Sequence, residues 1–305
     1  MTEHSGSAKG TALIILAAVA FGTVPFFARG LIEGGMSPVA VAFWRFALSG
    51  LVLAPLLWPV RQERGAIFWA LSAGLALGLG WIGYATALET LPVATAGVLY
   101  MTYPLFTALL GWLWFGFAPT ARTLFAAGLV LVAALVSSST GPVSQDDLPA
   151  MLVALTAPLG FAYGIAVLTM KLAALPVLPR MASVQLGATL GLLPLLLATG
   201  GSAAAVLPAT ADGWWLIAGA AIVTALLPQL AYTIYAPRIG ATRTAVAGSA
   251  ELPTMFLVGW LAFSEPLGPG QWLACALIVM AIFLAPARPT RGGDPGEKIG
   301  RPKAP

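Results

Sequence analysis

The chain has 305 residues, 59% hydrophobic and 9% charged, with mean hydropathy +0.91 and net charge +4. A soluble domain carries about 25% charged residues, so there are too few charges here to coat a globule in water, and lipid is the natural solvent. The isoelectric point near 9.5 does not indicate nucleic acid, because the basic residues stand singly between apolar runs and form no patch.

A bilayer core about 30 Å thick needs about 20 apolar residues per crossing helix. In chain order, ten runs qualify: 11–28, 38–58, 66–87, 94–115, 120–137, 148–170, 180–197, 213–235, 241–262 and 268–285. The first follows Lys9 and contains Ala18-Val19-Ala20, the pattern of a signal cleavage site. It is read as an uncleaved helix, because cleavage would remove half a span. Short connections hold turn formers: Gly34-Gly35, Gly141-Pro142, Gly200-Gly201, Gly240 and Pro266. The expected division is a polar N-terminal tail, 1–10; a first five-helix unit, 11–138; a second, 148–286; and a disordered C-terminal tail, 287–305.

Loop charge orients the runs. With both termini cytoplasmic, thirteen of the fifteen Lys and Arg residues fall on the inner side. Arg29 and Arg45 remain, near the outer end of the first helix and within the second. Glu33, Glu89, Asp146, Asp147, Asp212 and Glu265 fall outside. Shifting the count by one helix destroys this partition. Trp58, Trp69, Trp112 and Trp114 then lie at inner ends, and Trp214, Trp215, Trp260 and Trp272 at outer ends, as two interfacial belts.

The halves resemble each other weakly but in the same order. Gly111-Trp112-Leu113-Trp114-Phe115-Gly116-Phe117 matches Gly259-Trp260-Leu261-Ala262-Phe263-Ser264-Glu265. Pro104 corresponds to Pro253, and Phe21-Gly22 to Phe161-Ala162. Five is odd, so the second unit is inserted upside down. Inverted repeats of this kind characterise transporters and place the site between the halves, near the midplane. The expected fold is therefore an all-α membrane protein of two inverted five-helix repeats.

Ionisable and polar groups inside spans are costly and read as functional by default. Glu251 lies deepest: a proton carrier, a counter-charge for a substrate amine, or a structural partner of a neighbouring helix. Arg45 either attracts a substrate carboxylate, caps carbonyls, or pairs with an outer acid such as Glu33. All six tyrosines fall in spans. Tyr235 reads as an interfacial anchor. Tyr84, Tyr100, Tyr103, Tyr163 and Tyr232, with Trp44, Trp81, Gln185 and Gln229, either line a cavity of mixed polarity or make separate helix–helix hydrogen bonds. Gly74, Gly78 and Gly80 permit close helix approach. Pro25, Pro55, Pro104, Pro158, Pro194, Pro228 and Pro253 place kinks in seven helices.

Enzyme chemistry has no foothold. The single Cys275 lies in an apolar run and the single His4 in the polar tail, so no disulfide, metal site or histidine relay is expected. HExxH, Gly-x-Ser-x-Gly and P-loop motifs are missing from the sequence, and no cofactor is expected.

Several motifs, taken together, carry a family resemblance. They are Phe21-Gly22, Arg45 after Phe43-Trp44, the stretch from Pro104 to Gly111, Glu251-Leu252-Pro253 and Ser264-Glu265. Over about 11–286 the chain resembles the drug/metabolite transporter superfamily, ten-helix EamA type, and within it the aromatic amino-acid exporters of the YddG type. It departs from the pattern at Gly116-Phe117, where Gly-Glu is usual. The resemblance implies secondary transport of a small metabolite, often amino-acid export, by a monomer or weak dimer in a bacterial-type inner membrane. The alternatives are another organic solute or drug, or a passive facilitator or channel.

Overall fold

The computed structural model describes residues 2–115, 121–139, 145–172, 174–198, 203–239, 247–248 and 250–284. Among these residues there is helix and no strand. Seven segments are long and apolar enough to cross a membrane: Ala8–Glu33, Pro38–Val60, Arg64–Ala87, Val93–Trp114, Leu148–Leu168, Val177–Ala198 and Ala211–Tyr235. Further apolar helices cover Ala121–Ser139, Glu251–Phe263 and Pro269–Leu284. The expected start of the fifth run at Thr120, the first part of the ninth before Ala247, and the C-terminal tail lie outside the described residues.

Most of the spans are broken, and proline accounts for where. The first comprises α1 (Thr2–Gly22) and α2 (Val24–Glu33). The second is α3 (Pro38–Leu53) followed by a 3-10 turn, Ala54–Val60. Helix α4 (Arg64–Ala87) is continuous. The fourth span splits into α5 (Val93–Tyr100) and α6 (Tyr103–Phe115), and α7 (Ala121–Ser139) follows. The sixth splits into α8 (Leu148–Ala154) and α9 (Thr156–Lys171). Then come α10 (Val177–Ala198) and the short α11 (Ala203–Val206). Helix α12 (Ala211–Ala221) passes through a π-helical turn, Ile222–Leu226, into α13 (Leu227–Ile239). The described chain ends with α14 (Glu251–Phe263) and α15 (Pro269–Leu284).

Pro25, Pro55, Pro104, Pro158, Pro228 and Pro253 each sit in the first turn of a new piece, where the missing N–H has no helical partner to lose. Only Pro194 of the seven lies in a helix interior. Helix α1 begins at Thr2, before the expected end of the polar tail. Once the apolar run has nucleated a helix, each added residue gains a hydrogen bond at little cost, so the helix extends backward.

The segments before residue 140 pack mainly against those after 145. Helix α4 lies along α9 and α10, α3 along α10 and α12, α1 along α13 and α14, α6 along α9, α5 along α14, and α7 along α15. Close approach relies on glycine. A Cβ at Gly74 would strike the Val184 carbonyl, one at Gly80 would lie 2.7 Å from the Thr156 carbonyl, and one at Gly78 3.2 Å from Ala188. The eight tryptophans assigned to the belts all expose their rings on the outside of the bundle, whereas Trp81 is buried and Trp44 half-buried. That is the disposition expected of anchors facing lipid headgroups.

Helix α14 ends in a left-handed cap. Ser264 has φ 54°, and the Glu265 N–H returns to the Gly259 carbonyl at 3.0 Å. A serine there carries the strain that glycine avoids. Relief of about 1–2 kcal/mol of left-handed strain outweighs the extra unfolded-chain entropy of glycine, about 0.4–1 kcal/mol, so Ser264→Gly is expected to stabilise the protein by up to about 1 kcal/mol, read as a raised Tm in detergent. An unchanged or lowered Tm would show that the Ser264 hydroxyl compensates.

Candidate functional site

The centre of the bundle holds one continuous aromatic cluster. Trp81 and Tyr84, one helical turn apart on α4, place their rings 4.9 Å apart. Tyr100, the last residue of α5, lies 6.0 Å from Trp81 and 6.1 Å from Tyr84. Tyr103 opens α6 and stands 6.0 Å from Tyr100. Phe161 of α9 closes the set, 5.7 Å from Tyr100 and edge-on to Tyr103 at 4.9 Å. The break at Met101-Thr102 brings Tyr100 and Tyr103 to the same cluster. The Tyr100 carbonyl would normally accept from residue 104, which is a proline without an N–H.

The two deep charges flank this cluster. Arg45 projects from α3, is 6% exposed, and lays its guanidinium 3.6 Å over the Trp81 ring. Its Nη2 donates to the Thr224 carbonyl at 2.7 Å. That carbonyl is free for the same reason as Tyr100's, since the residue four further on is Pro228. The π-helical turn marks the site of this rearrangement. The Arg45 Nε and Nη1 and the Tyr84 hydroxyl are buried without a hydrogen-bond partner. A cavity of about 10 Å³ lies against Arg45, Trp81 and Thr224. Small-molecule sites typically occupy about 300–1,000 Å³, so the expected solute-sized cavity is not open beside Arg45 in this conformation.

Glu251 begins α14, with Pro253 in the same turn. It lies within electrostatic reach of Arg45, Tyr84, Tyr100, Tyr103 and Tyr232. Helix α14 is held close on two sides. A Cβ at Gly22 of α1 would lie 2.6 Å from the Glu251 carbonyl, and one at Gly97 of α5 2.8 Å from Met255 Sδ. The Tyr232 ring packs on Phe21 at 5.7 Å.

Arg45, Trp81, Tyr84, Tyr100, Tyr103, Glu251 and Tyr232 are thus brought to one centre. Four other candidates are engaged elsewhere. The Tyr163 hydroxyl shares a 3.0 Å hydrogen bond with Ser72 on α4, and its ring lies 5.4 Å from Trp114. Trp44 donates to the Val206 carbonyl at 2.9 Å and packs on Trp214. Gln185 of α10 donates to Gln229 of α13 at 3.4 Å. Arg45 does not pair with Glu33. Arg29 takes that acid at 3.1 Å, one turn along the same helix. Phe161 and Thr224 were not singled out in the sequence. Phe161 stood only in the repeat comparison, and the signal for Thr224 was its place four residues before Pro228.

A second ionic centre ties three spans together at one end of the bundle. Arg29 Nη1 donates to Glu265 at 2.6 Å, and the guanidinium lies 4.6 Å over the Phe263 ring. Both Glu265 oxygens accept from the Val93 N–H at 2.9 Å, at the start of α5. A carboxylate there meets an unpaired helical donor and the positive end of the helix dipole.

The EamA-like transporter family model matches residues 8–139. No curated protein sequence matches the chain. A protein of known crystal structure has the same fold, with TM-score 0.61 and 17% identity over 90% of this chain and 96% of that one. Among the described residues no group of three or more His, Cys, Asp or Glu side chains is placed to hold a metal ion. The protein is a multi-pass membrane protein, helical throughout its described residues, and residues 8–139 are similar to the EamA-like transporter family.

Proposed function

We propose that the protein is a ten-helix secondary transporter of the drug/metabolite superfamily that exports amino acids, aromatic or hydrophobic ones foremost, by alternating access. It sits in a bacterial-type inner membrane with both termini cytoplasmic. The observation that carries this reading is the pattern of helix contacts. Number the ten apolar runs in order, and exchange each with the one five places on. The contact of α4 with α9 (third and sixth) becomes that of α1 with α13 (first and eighth). The contact of α4 with α10 (third and seventh) becomes that of α3 with α12 (second and eighth). The contact of α1 with α14 (first and ninth) becomes that of α6 with α9 (fourth and sixth). Three pairs map onto themselves: α3 with α10, α5 with α14, and α7 with α15. A two-fold relation between five-helix halves produces such a pattern, and an odd number of spans makes the halves antiparallel.

A solute site on that axis draws on the self-paired spans four and nine. In both, a new helical piece starts mid-span with a proline in its first turn, α6 with Pro104 and α14 with Pro253. Interrupted helices at corresponding positions of inverted halves are where transporters bind solute and coupling ion. Tyr100, Tyr103 and Glu251 stand at these interruptions. Aromatic walls around one acid and one base suit a zwitterion with an apolar side chain. Glu251 is assigned proton coupling.

Proteoliposomes loaded with single amino acids, with and without an imposed pH gradient, test the reading. Counterflow of aromatic or branched amino acids is expected, accelerated by the gradient. Glu251→Gln should retain counterflow and lose the response to the gradient. An unchanged response would remove Glu251 from coupling, and no counterflow with any amino acid would overturn the substrate. Flux without counterflow would favour a channel.

A further inference from the structure

We infer that the edge of Arg45, with the Tyr84 hydroxyl beside it, is the seat of a carboxylate on the transported solute. The inference rests on the transporter reading and names the group that the solute must carry. A guanidinium has five N–H donors in a planar fork. One Nη2 hydrogen goes to the Thr224 carbonyl, while Nε and Nη1 are buried with no partner. Whichever Nη2 hydrogen Thr224 takes, the other pairs with Nε or Nη1 to leave one complete two-donor edge. Among the described residues the ion pairs within 4.0 Å are those of Arg29 with Glu33 and Glu265, so no carboxylate of those residues occupies that edge. The Tyr84 side chain is fully buried, its hydroxyl also has no partner, and it lies within electrostatic reach of Arg45.

Leaving a buried guanidinium edge empty is costly. The surroundings do not relieve it, because alanine and valine line the rest of the adjoining cavity. The ligand that fits two parallel donors on a cation is a carboxylate, held bidentately. Trp81 packs against the guanidinium, 3.6 Å from its carbon to the ring centroid, and restrains the group that carries the edge. At about 10 Å³ the cavity has room for about one water. A carboxylate enters as α2 and α12, which form one wall with Val24, Ala28 and Ala220, part from α3 and α4.

The test compares acids with their amides on the purified protein in nanodiscs, following tryptophan fluorescence and thermal shift. The pairs are phenylalanine and phenylalaninamide, leucine and leucinamide, and 3-phenylpropanoate and 3-phenylpropanamide. Each acid that binds is expected to bind at least about tenfold tighter than its amide, the usual scale for losing one partner of a buried charge pair. Arg45→Gln should erase the difference, and Tyr84→Phe should weaken acid binding about threefold while leaving amide binding unchanged. Should Arg45→Gln fail to fold, the Tyr84→Phe result decides, and a parallel loss for acid and amide overturns the inference. Equal binding of acid and amide, no binding of any acid, or an acid preference that survives Arg45→Gln also overturns it. If 3-phenylpropanoate is preferred over its amide while no amino acid binds, the carboxylate seat stands and the amino-acid reading falls. If amino acids and their amides exchange equally in proteoliposomes, the seat falls and the transporter reading stands.

Discussion

Replacing Gly22 with leucine is expected to prevent the protein from accumulating in the membrane, and Gly22→Ala to lower its stability by about 1–3 kcal/mol. At this point α1 runs against α14 with no space for a side chain. A Cβ would lie 2.5 Å from the Thr254 Cβ and 2.6 Å from the Glu251 carbonyl. The second contact is with backbone, which cannot swing aside as the tip of a side chain does. Relief requires α1 to move away, which displaces Phe21 from Tyr232 and shifts the turn that carries Glu251. Transport should therefore fall further than stability in Gly22→Ala. Gly164 of α9 supplies the control, because a Cβ there meets nothing within 4 Å. Gly164→Ala should be neutral or stabilising by up to about 1 kcal/mol through helix propensity. Tm in detergent and counterflow rates check both. A Gly22→Ala protein as stable and active as the wild type would refute the close packing of α1 on Glu251.

Glu265→Ala is expected to cost about 2 kcal/mol, through loss of the α5 cap and of a hydrogen-bonded ion pair. Glu265 is 12% exposed at its side chain, so solvent weakens the pair only partly. Glu33, bonded to the same arginine but 57% exposed, makes the comparison. Surface pairs contribute little, and Glu33→Gln should stay within about 0.5 kcal/mol of wild type. A Glu265→Ala protein with wild-type Tm would show that the three spans are held by apolar packing alone.

Much of the architecture was legible because lipid imposes it. Run length and proline position are local properties. Pro25, Pro55, Pro104, Pro158, Pro228 and Pro253 each mark where a helical piece begins. The exposed tryptophans were readable for the same reason, since each responds to depth in the bilayer rather than to a particular neighbour. The site was legible as a set of residue types and illegible as a set of contacts. Tyr163 and Tyr100 look alike in sequence, yet Ser72 takes one hydroxyl while the other ring joins the central cluster. Arg29 and Glu265 meet across 236 positions, a pairing that exists only once the two halves have docked. The Arg45–Thr224 bond came closer to being readable. Proline at position 228 announces an orphaned carbonyl at 224, and a buried arginine is a donor in search of one.

The tie formed by Glu265 has no counterpart in the sequence of the other half. There the matching position is Phe117, whose side chain has no carboxylate to accept from an arginine or a helix N-terminus. On the inverted-repeat reading, the sequence supplies this bolt for one door alone. On the alternating-access reading, the doorway spanned by Arg29, Val93 and Glu265 resists opening while the opposite one swings more freely. The empty molecule then rests bolted at that end, and a solute gains passage there only if its own binding repays the broken tie. Such an imbalance sets how much the carrier leaks when it has nothing to carry.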